Sequence, residues 1–249
     1  MATYVLVHGG GHGGWCYQPV ARILRAAGHE VVTPTLTGLG ERSHLLSPAI
    51  DLDLHIRDVV AVLHFDDLRD VILVGHSYGG MVITGVADRA GDRIGRVVYL
   101  DAANPVNGQS LLDVVRPMIG ATRPSDNVVE ATRPSGKVVD GVELVLLPSP
   151  EAGRFYGVTD PDDVAWMADR LTGHPWKCFE QPLEIGDEAA LATIPQFHIV
   201  CTSTLATRDP ELMEQARADG RLWTIDTGHD LMITEPQAVA DALLEVATA

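Results

Sequence analysis

The chain has 249 residues and a mass of 26.7 kDa, with 46% apolar and 21% charged residues, enough to bury roughly three quarters of its extended surface without covalent staples. Lys and Arg number 18 against 34 Asp and Glu, giving a net charge of −16 and a pI near 4.8; with no basic tract to follow a phosphate backbone, nucleic acid is excluded as the expected partner. The apolar stretch Tyr4 to Val7 breaks at His8-Gly9-Gly10-Gly11, too early for a secretory leader, and no window reaches a membrane-spanning length. The three cysteines, Cys16, Cys178 and Cys201, are far apart and fit no zinc or Cys-x-x-Cys spacing, so a reducing cytoplasm is the expected compartment.

In chain order, short β-branched runs alternate with longer amphipathic stretches: Tyr4 to Val7, then Val20 to Ala27; Glu30 to Thr33, then Leu52 to Leu63; Val71 to Val74, then Met81 to Ala90. This βα repetition, followed by a strand at Val97 to Leu100, predicts an α/β fold whose mostly parallel, doubly wound sheet is covered on both faces. From Asn104 to about Ala190 eight prolines, from Pro117 to Pro182, interrupt regular elements. Only the apolar run Val142 to Leu147 and a helix over Pro161 to Leu171 stand out there. A structureless linker of that length is unusual in a compact protein, so a small cap (lid) over residues 104–190 is expected. The alternation resumes with Phe197 to Cys201, Pro210 to Ala218, Leu222 to Ile225 and a closing helix over Pro236 to Val246. Residues 1–103 and 191–249 then form one interrupted core.

Gly75-His76-Ser77-Tyr78-Gly79 follows the Val71 to Val74 strand and precedes a helix. Flanking glycines permit a tight strand-to-helix turn that strains the serine and exposes its hydroxyl, close to a helix N-terminus that favours developing negative charge. Ser77 is the candidate nucleophile. Its candidate base is His229, which follows the late strand Leu222 to Ile225 by a short turn, because open α/β folds place their sites at the carboxyl edge of the sheet. His76 is expected to pack beneath the turn, since successive residues of an extended chain face opposite ways. The Gly-rich loop His8 to Gly14 supplies amides for the carbonyl oxygen's new charge, with Gly10 N–H and Tyr78 N–H as the expected oxyanion donors. Phosphate binding by this loop is disfavoured, because the Walker lysine and the dinucleotide spacing are both missing.

The words HGGGHGGW, ILVGHSYGG, VVYLDAANP and DTGHDLMITEP together resemble the α/β-hydrolase superfamily, in particular the branch of plant methyl-ester esterases, plant hydroxynitrile lyases and their bacterial relatives. The similarity runs through the core and thins in the cap. It implies an eight-stranded sheet or a trimmed variant of it, a helical cap, no metal or cofactor, and cleavage of carboxylic esters with small or aromatic acyl parts. The same resemblance puts Ser77 on the nucleophile, His229 on the base, and Gly10 and Tyr78 on the oxyanion donors. The third triad member departs from the pattern: Thr204 stands where relatives with an acid after the penultimate strand carry aspartate. Asp101, closing the Val97 to Leu100 strand, is the first choice of acid because some α/β-hydrolases hold it on that edge; Asp209 is the alternative, with Asp226, Asp230 or no acid at all behind it. Asp209 has a plainer reading as the cap of the next helix.

An acyl or alcohol pocket is expected to draw on Gly11, His12, Trp15, Phe155, Tyr156, Trp166 and Trp176, although aromatic residues serve packing equally well. His12 is read as orienting the oxyanion loop. Asp66-Asp67 and Asp160 to Asp163 fit solvated turns and helix N-termini rather than metal sites. The plant lyases carry threonine and lysine where this chain has Gly9 and Asp230, which favours ester hydrolysis over cyanohydrin cleavage. Lactone, thioester and amide hydrolysis, or a catalytically idle binding module, stay open as alternatives. The expected partner is a small-molecule ester, with no nucleic acid or membrane, and the protein a monomer or homodimer.

Overall fold

Among the described residues nine strands are formed: β1 (Thr3–Val7), β2 (Glu30–Val32), β3 (Val71–His76), β4 (Ile94–Leu100), β5 (Lys137–Val139), β6 (Val142–Val145), β7 (His174–Pro175), β8 (Gln196–Cys201) and β9 (Leu222–Ile225). They belong to a computed structural model that describes residues 1–116, 137–146, 153 and 156–249. Six make one all-parallel sheet in the order β2-β1-β3-β4-β8-β9, the trimmed form of the expected sheet. The chain moves outward from β1 to β2, returns to the other side of β1 for β3, and then continues to β9. That reversal brings the loops after β1 and β3 side by side at the carboxyl edge, where such sheets open a crevice.

The period-2 alternation of the strands sorts two cores. Val5, Val7, Leu73, Val97 and Tyr99 face helices α2 (Leu52–Phe65) and α3 (Gly79–Arg89). Tyr4, Leu6, Ile72, Val74, Val98 and Leu100 face α1 (Gln18–Ala26) and the C-terminal helix Pro236–Val246. Each fully buried aliphatic or aromatic side chain contributes roughly 1.5–3 kcal/mol, so the double covering is what stabilises an all-parallel sheet. The helix expected from Met81 begins earlier, at Gly79, because the motif's own glycines form its first turn.

Between β4 and β8 lie a helix at Leu111–Val115, an antiparallel sheet in the order β5-β6-β7, and helices at Pro161–Ala168, Lys177–Glu180 and Glu188–Thr193. The covering segment is thus mixed rather than helical. Its described residues join the two cores of the sheet: Val145, Trp176, Cys178, Phe179 and Leu183 belong to the cluster of α2 and α3, while Tyr156, Val158, Met167 and Leu171 belong to the other. Asp160 caps the helix Pro161–Ala168, accepting from the amides of Asp162 and Asp163. Among the described residues no helix is long and apolar enough to cross a membrane.

Candidate active site

At the end of β3 the backbone turns through Ser77 at φ +53°, a left-handed conformation that a non-glycine residue adopts only under local constraint. The constraint is close packing. A Cβ on Gly80 would stand 1.9 Å from the Ala103 carbonyl oxygen, and one on Gly79 2.7 Å from that of Val7. The Ser77 carbonyl accepts from the amides of Gly80 and Ala103, both at 3.0 Å. Ser77 itself stays half-buried between two buried neighbours, His76 and Tyr78, and its hydroxyl makes no hydrogen bond among the described residues.

His229, on the turn after β9, has Nδ1 2.5 Å from Asp101 Oδ2. A ring that donates from Nδ1 leaves Nε2 free to accept a proton. Asp101 follows β4 directly, is 1% exposed and also has positive φ, at +45°. Its other oxygen, Oδ1, accepts from Thr204 Oγ1 at 2.5 Å, Arg208 Nη2 at 2.7 Å and the Cys201 amide at 3.3 Å. Burial alone would raise the Asp101 pKa, but His229, Arg208 and Thr204 outweigh it and hold the carboxyl well below the ordinary carboxylate range. Asp209 accepts from the amides of Glu211 and Leu212 at the start of helix Pro210–Ala218. Asp226 accepts from Thr202 Oγ1. Neither is hydrogen-bonded to His229 among the described residues. Thr204, at the position where relatives with an acid after the penultimate strand carry aspartate, donates to the aspartate that follows β4.

The loop after β1 is held by histidines. The Leu36 amide donates to His8 Nε2, so His8 Nδ1 carries the proton given to the Gly9 carbonyl at 2.8 Å. His12, fully buried, lies 2.8 Å from the Gly10 carbonyl through Nδ1 and 2.9 Å from Asp230 Oδ2 through Nε2. Gly11 donates to His174 Nδ1 at 3.2 Å. A Cβ on Gly10 would stand 2.8 Å from Leu146 and 3.1 Å from Phe179, so these two apolar side chains cover the loop. His76 donates from Nε2 to the His229 carbonyl at 2.9 Å; burial first, then the neighbouring His229, depress its pKa to about 3. It supports the histidine turn from below.

Of the expected pocket residues, Tyr156 donates its hydroxyl to the Gly10 carbonyl at 3.3 Å. Trp15 stacks on His12 with ring centroids 5.3 Å apart and meets the edge of Trp166 at 5.0 Å. Trp176 is 3% exposed inside the core of α2 and α3, and Phe155 lies outside the described residues. Leu146, Phe179, His174 and Arg208 escaped sequence reasoning, because no local pattern ties a residue to a loop that only folding brings near. The donor atoms of His55, His174 and Cys178 lie within 4.8 Å of one another. Both His55 nitrogens already face partners, Tyr78 Oη at 2.9 Å and the Thr37 carbonyl at 3.0 Å, so the group braces the elbow tyrosine.

Residues 4–242 match the model of the alpha/beta hydrolase family. The chain is 59% identical over 249 residues to a carbendazim hydrolyzing esterase of Nocardioides sp., covering 98% of each. It is 28% identical over 257 residues to salicylic acid-binding protein 2 of Nicotiana tabacum, covering 98% of this chain and 96% of that protein. Among solved structures, an extracellular alpha/beta-hydrolase from a Paenibacillus species aligns with a TM-score of 0.76 at 24% identity over 98% of both chains. A methylesterase from Arabidopsis aligns with a TM-score of 0.72 at 22% identity, over 100% of this chain and 99% of that one. At such identities the structural likeness speaks to fold alone.

Proposed function

The chain belongs to the alpha/beta hydrolase family, and from that premise we propose that it is an esterase that cleaves carboxylic esters of small or aromatic acyl groups through an acyl-enzyme. The hydrogen bond from His229 Nδ1 to Asp101 Oδ2 carries this reading, because it leaves Nε2 as a base on the same sheet edge as the strained Ser77. In the proposed reaction His229 Nε2 takes the Ser77 proton as Oγ attacks the ester carbonyl, and Asp101 stabilises the imidazolium. The new charge on oxygen is met by the Gly10 and Tyr78 amides. Collapse expels the alcohol with the proton from His229; water, deprotonated by the same nitrogen, then releases the acid. Approach of Ser77 Oγ to Nε2 belongs to substrate binding, since such contacts often tighten only in the complex.

Residues 104–190 act in this proposal as the cap, with Leu146, Tyr156 and Phe179 over the oxyanion loop. Asp230 stands directly after the base where the plant lyases carry a lysine, so no cation follows the base to receive a leaving cyanide, which favours ester cleavage. The Nocardioides relative makes carbendazim the first substrate to assay, beside nitrophenyl esters of short acyl groups. Parent protein is expected to consume these substrates and to be labelled once by an organophosphonate. Ser77→Ala is expected to do neither, and labelling of that variant at parental stoichiometry would refute the assignment.

A further inference from the structure

We infer that Asp230, acting through a doubly protonated His12, is a positioning residue that fixes the oxyanion loop; the inference rests on the esterase reading above. Both His12 ring nitrogens face acceptors, the Gly10 carbonyl at 2.8 Å and Asp230 Oδ2 at 2.9 Å. A carbonyl has no proton to give, and neither has a carboxylate, so each nitrogen must supply its own. The ring is 0% exposed, which leaves no bulk water to relieve either contact. A trans peptide points its N–H opposite to its C=O. His8 holds the Gly9 carbonyl, and His12 with Tyr156 holds the Gly10 carbonyl, so Gly10 N–H is fixed from both sides. Asp230 also donates its own amide to the Tyr156 carbonyl at 2.9 Å. One residue adjoining the base thereby ties the histidine turn, the oxyanion loop and the segment above them.

The charges around the pair support the same state. Asp230 Oδ1 lies 3.6 Å from His76 Nε2, whose proton is committed to the His229 carbonyl. Burial keeps His8 and His76 neutral, with pKa values near 3, and holds His174 well below the ordinary imidazole range. Cys16 and Tyr17 are likewise kept neutral by burial. For His12 burial acts downward, yet the Asp230 charge and hydrogen bond exceed it, and the net shift is upward; Asp230 is shifted downward, mainly by His12 against its own burial.

The test needs no variant to begin. In protein labelled with 15N-histidine, one of the ten histidines is expected to keep both ring nitrogens protonated at about pH 8, above the ordinary imidazole pKa of about 6.5. Ten neutral rings at that pH would overturn the inference. In Asp230→Asn the imidazolium signal is expected to be lost and kcat on a nitrophenyl ester to fall about tenfold or more near neutrality, with KM little changed. That kcat should recover toward the parental value as the pH is lowered and His12 regains its second proton. A deficit independent of pH, or no deficit, contradicts the proposal. Ser77→Ala measured alongside separates the two claims: turnover surviving there removes the esterase reading, whereas a parental pH profile in Asp230→Asn removes only this one.

Discussion

Arg208 is the residue on which the acid side of the candidate triad leans. Its guanidinium reaches Asp101 Oδ1 at 2.7 Å and the Ala102 carbonyl at 2.8 Å with two different nitrogens. Lysine offers a single point charge and could not span both acceptors. Arg208→Met is expected to lower kcat about tenfold or more with KM nearly unchanged, and to cost about 3 kcal/mol of stability because Asp101 keeps a buried charge without its cation; Arg208→Lys should fall between, by steady-state kinetics and urea unfolding. Asp101→Asn should reduce kcat by about a thousandfold or more. Asp209→Ala should leave ester turnover at the parental level and cost about 1 kcal/mol, the worth of a helix cap. The reverse ranking of those two variants would move the acid to Asp209. Ser77 and His229 are legible as candidates because each sits on a local strand-turn pattern. The candidate acid is legible only as a first choice, Asp101, among four aspartates that follow or approach strand ends, and the fold shows that this one meets the imidazole. Arg208, 107 residues from Asp101, leaves no local signature at all.

At the scale of elements, the turn that carries His229 is pressed against the segment between β4 and β8 at Gly157. Gly157, at φ +77°, lies so close that a Cβ there would stand 2.6 Å from Gly228 Cα and 3.0 Å from the His229 amide nitrogen. Both neighbours are backbone, so neither can swing aside as a side-chain tip would. Gly157→Ala is therefore expected to push the histidine turn off its register, lowering kcat about tenfold or more and stability by about 2 kcal/mol; unchanged kinetics and melting would mean the segment yields instead. The helices Pro210–Ala218 and Pro236–Val246 and strand β9 lie where the hydropathy pattern puts them, because burial against a sheet imposes a clear period. The β5-β6-β7 sheet was not legible: its strands have three, four and two residues, too few for alternation to show, and β7 contains a proline.

For the molecule as a whole, the buried histidines set the response to acid. His8, His55, His76, His174 and His198 are all shifted downward, with burial the leading cause in each. A histidine depressed in the folded state contributes stability that is present above its unfolded pKa of about 6.5 and is lost as pH falls from there toward the folded value, at up to about 1.4 kcal/mol per pH unit for each group. Asp101 and Asp230, also depressed, add a loss that begins only below about pH 4. His12, raised, has the opposite sign: its contribution is complete below about 6.5 and declines as pH climbs through its folded pKa. The urea midpoint should thus drop steeply between about pH 6.5 and 5, and a flat midpoint over that range would be inconsistent with these rings being buried neutral. The parallel sheet and its interruption are legible from the sequence, whereas this ring of histidines is not, because the residues come from separate loops and strands. The three thiols, Cys16, Cys178 and Cys201, are unpaired and buried. One cysteine introduced at Val138, which is 65% exposed on β5, would then be the sole site open to a fluorophore or spin label, giving an optical or paramagnetic reporter on the segment between β4 and β8 without stripping out native sulfur.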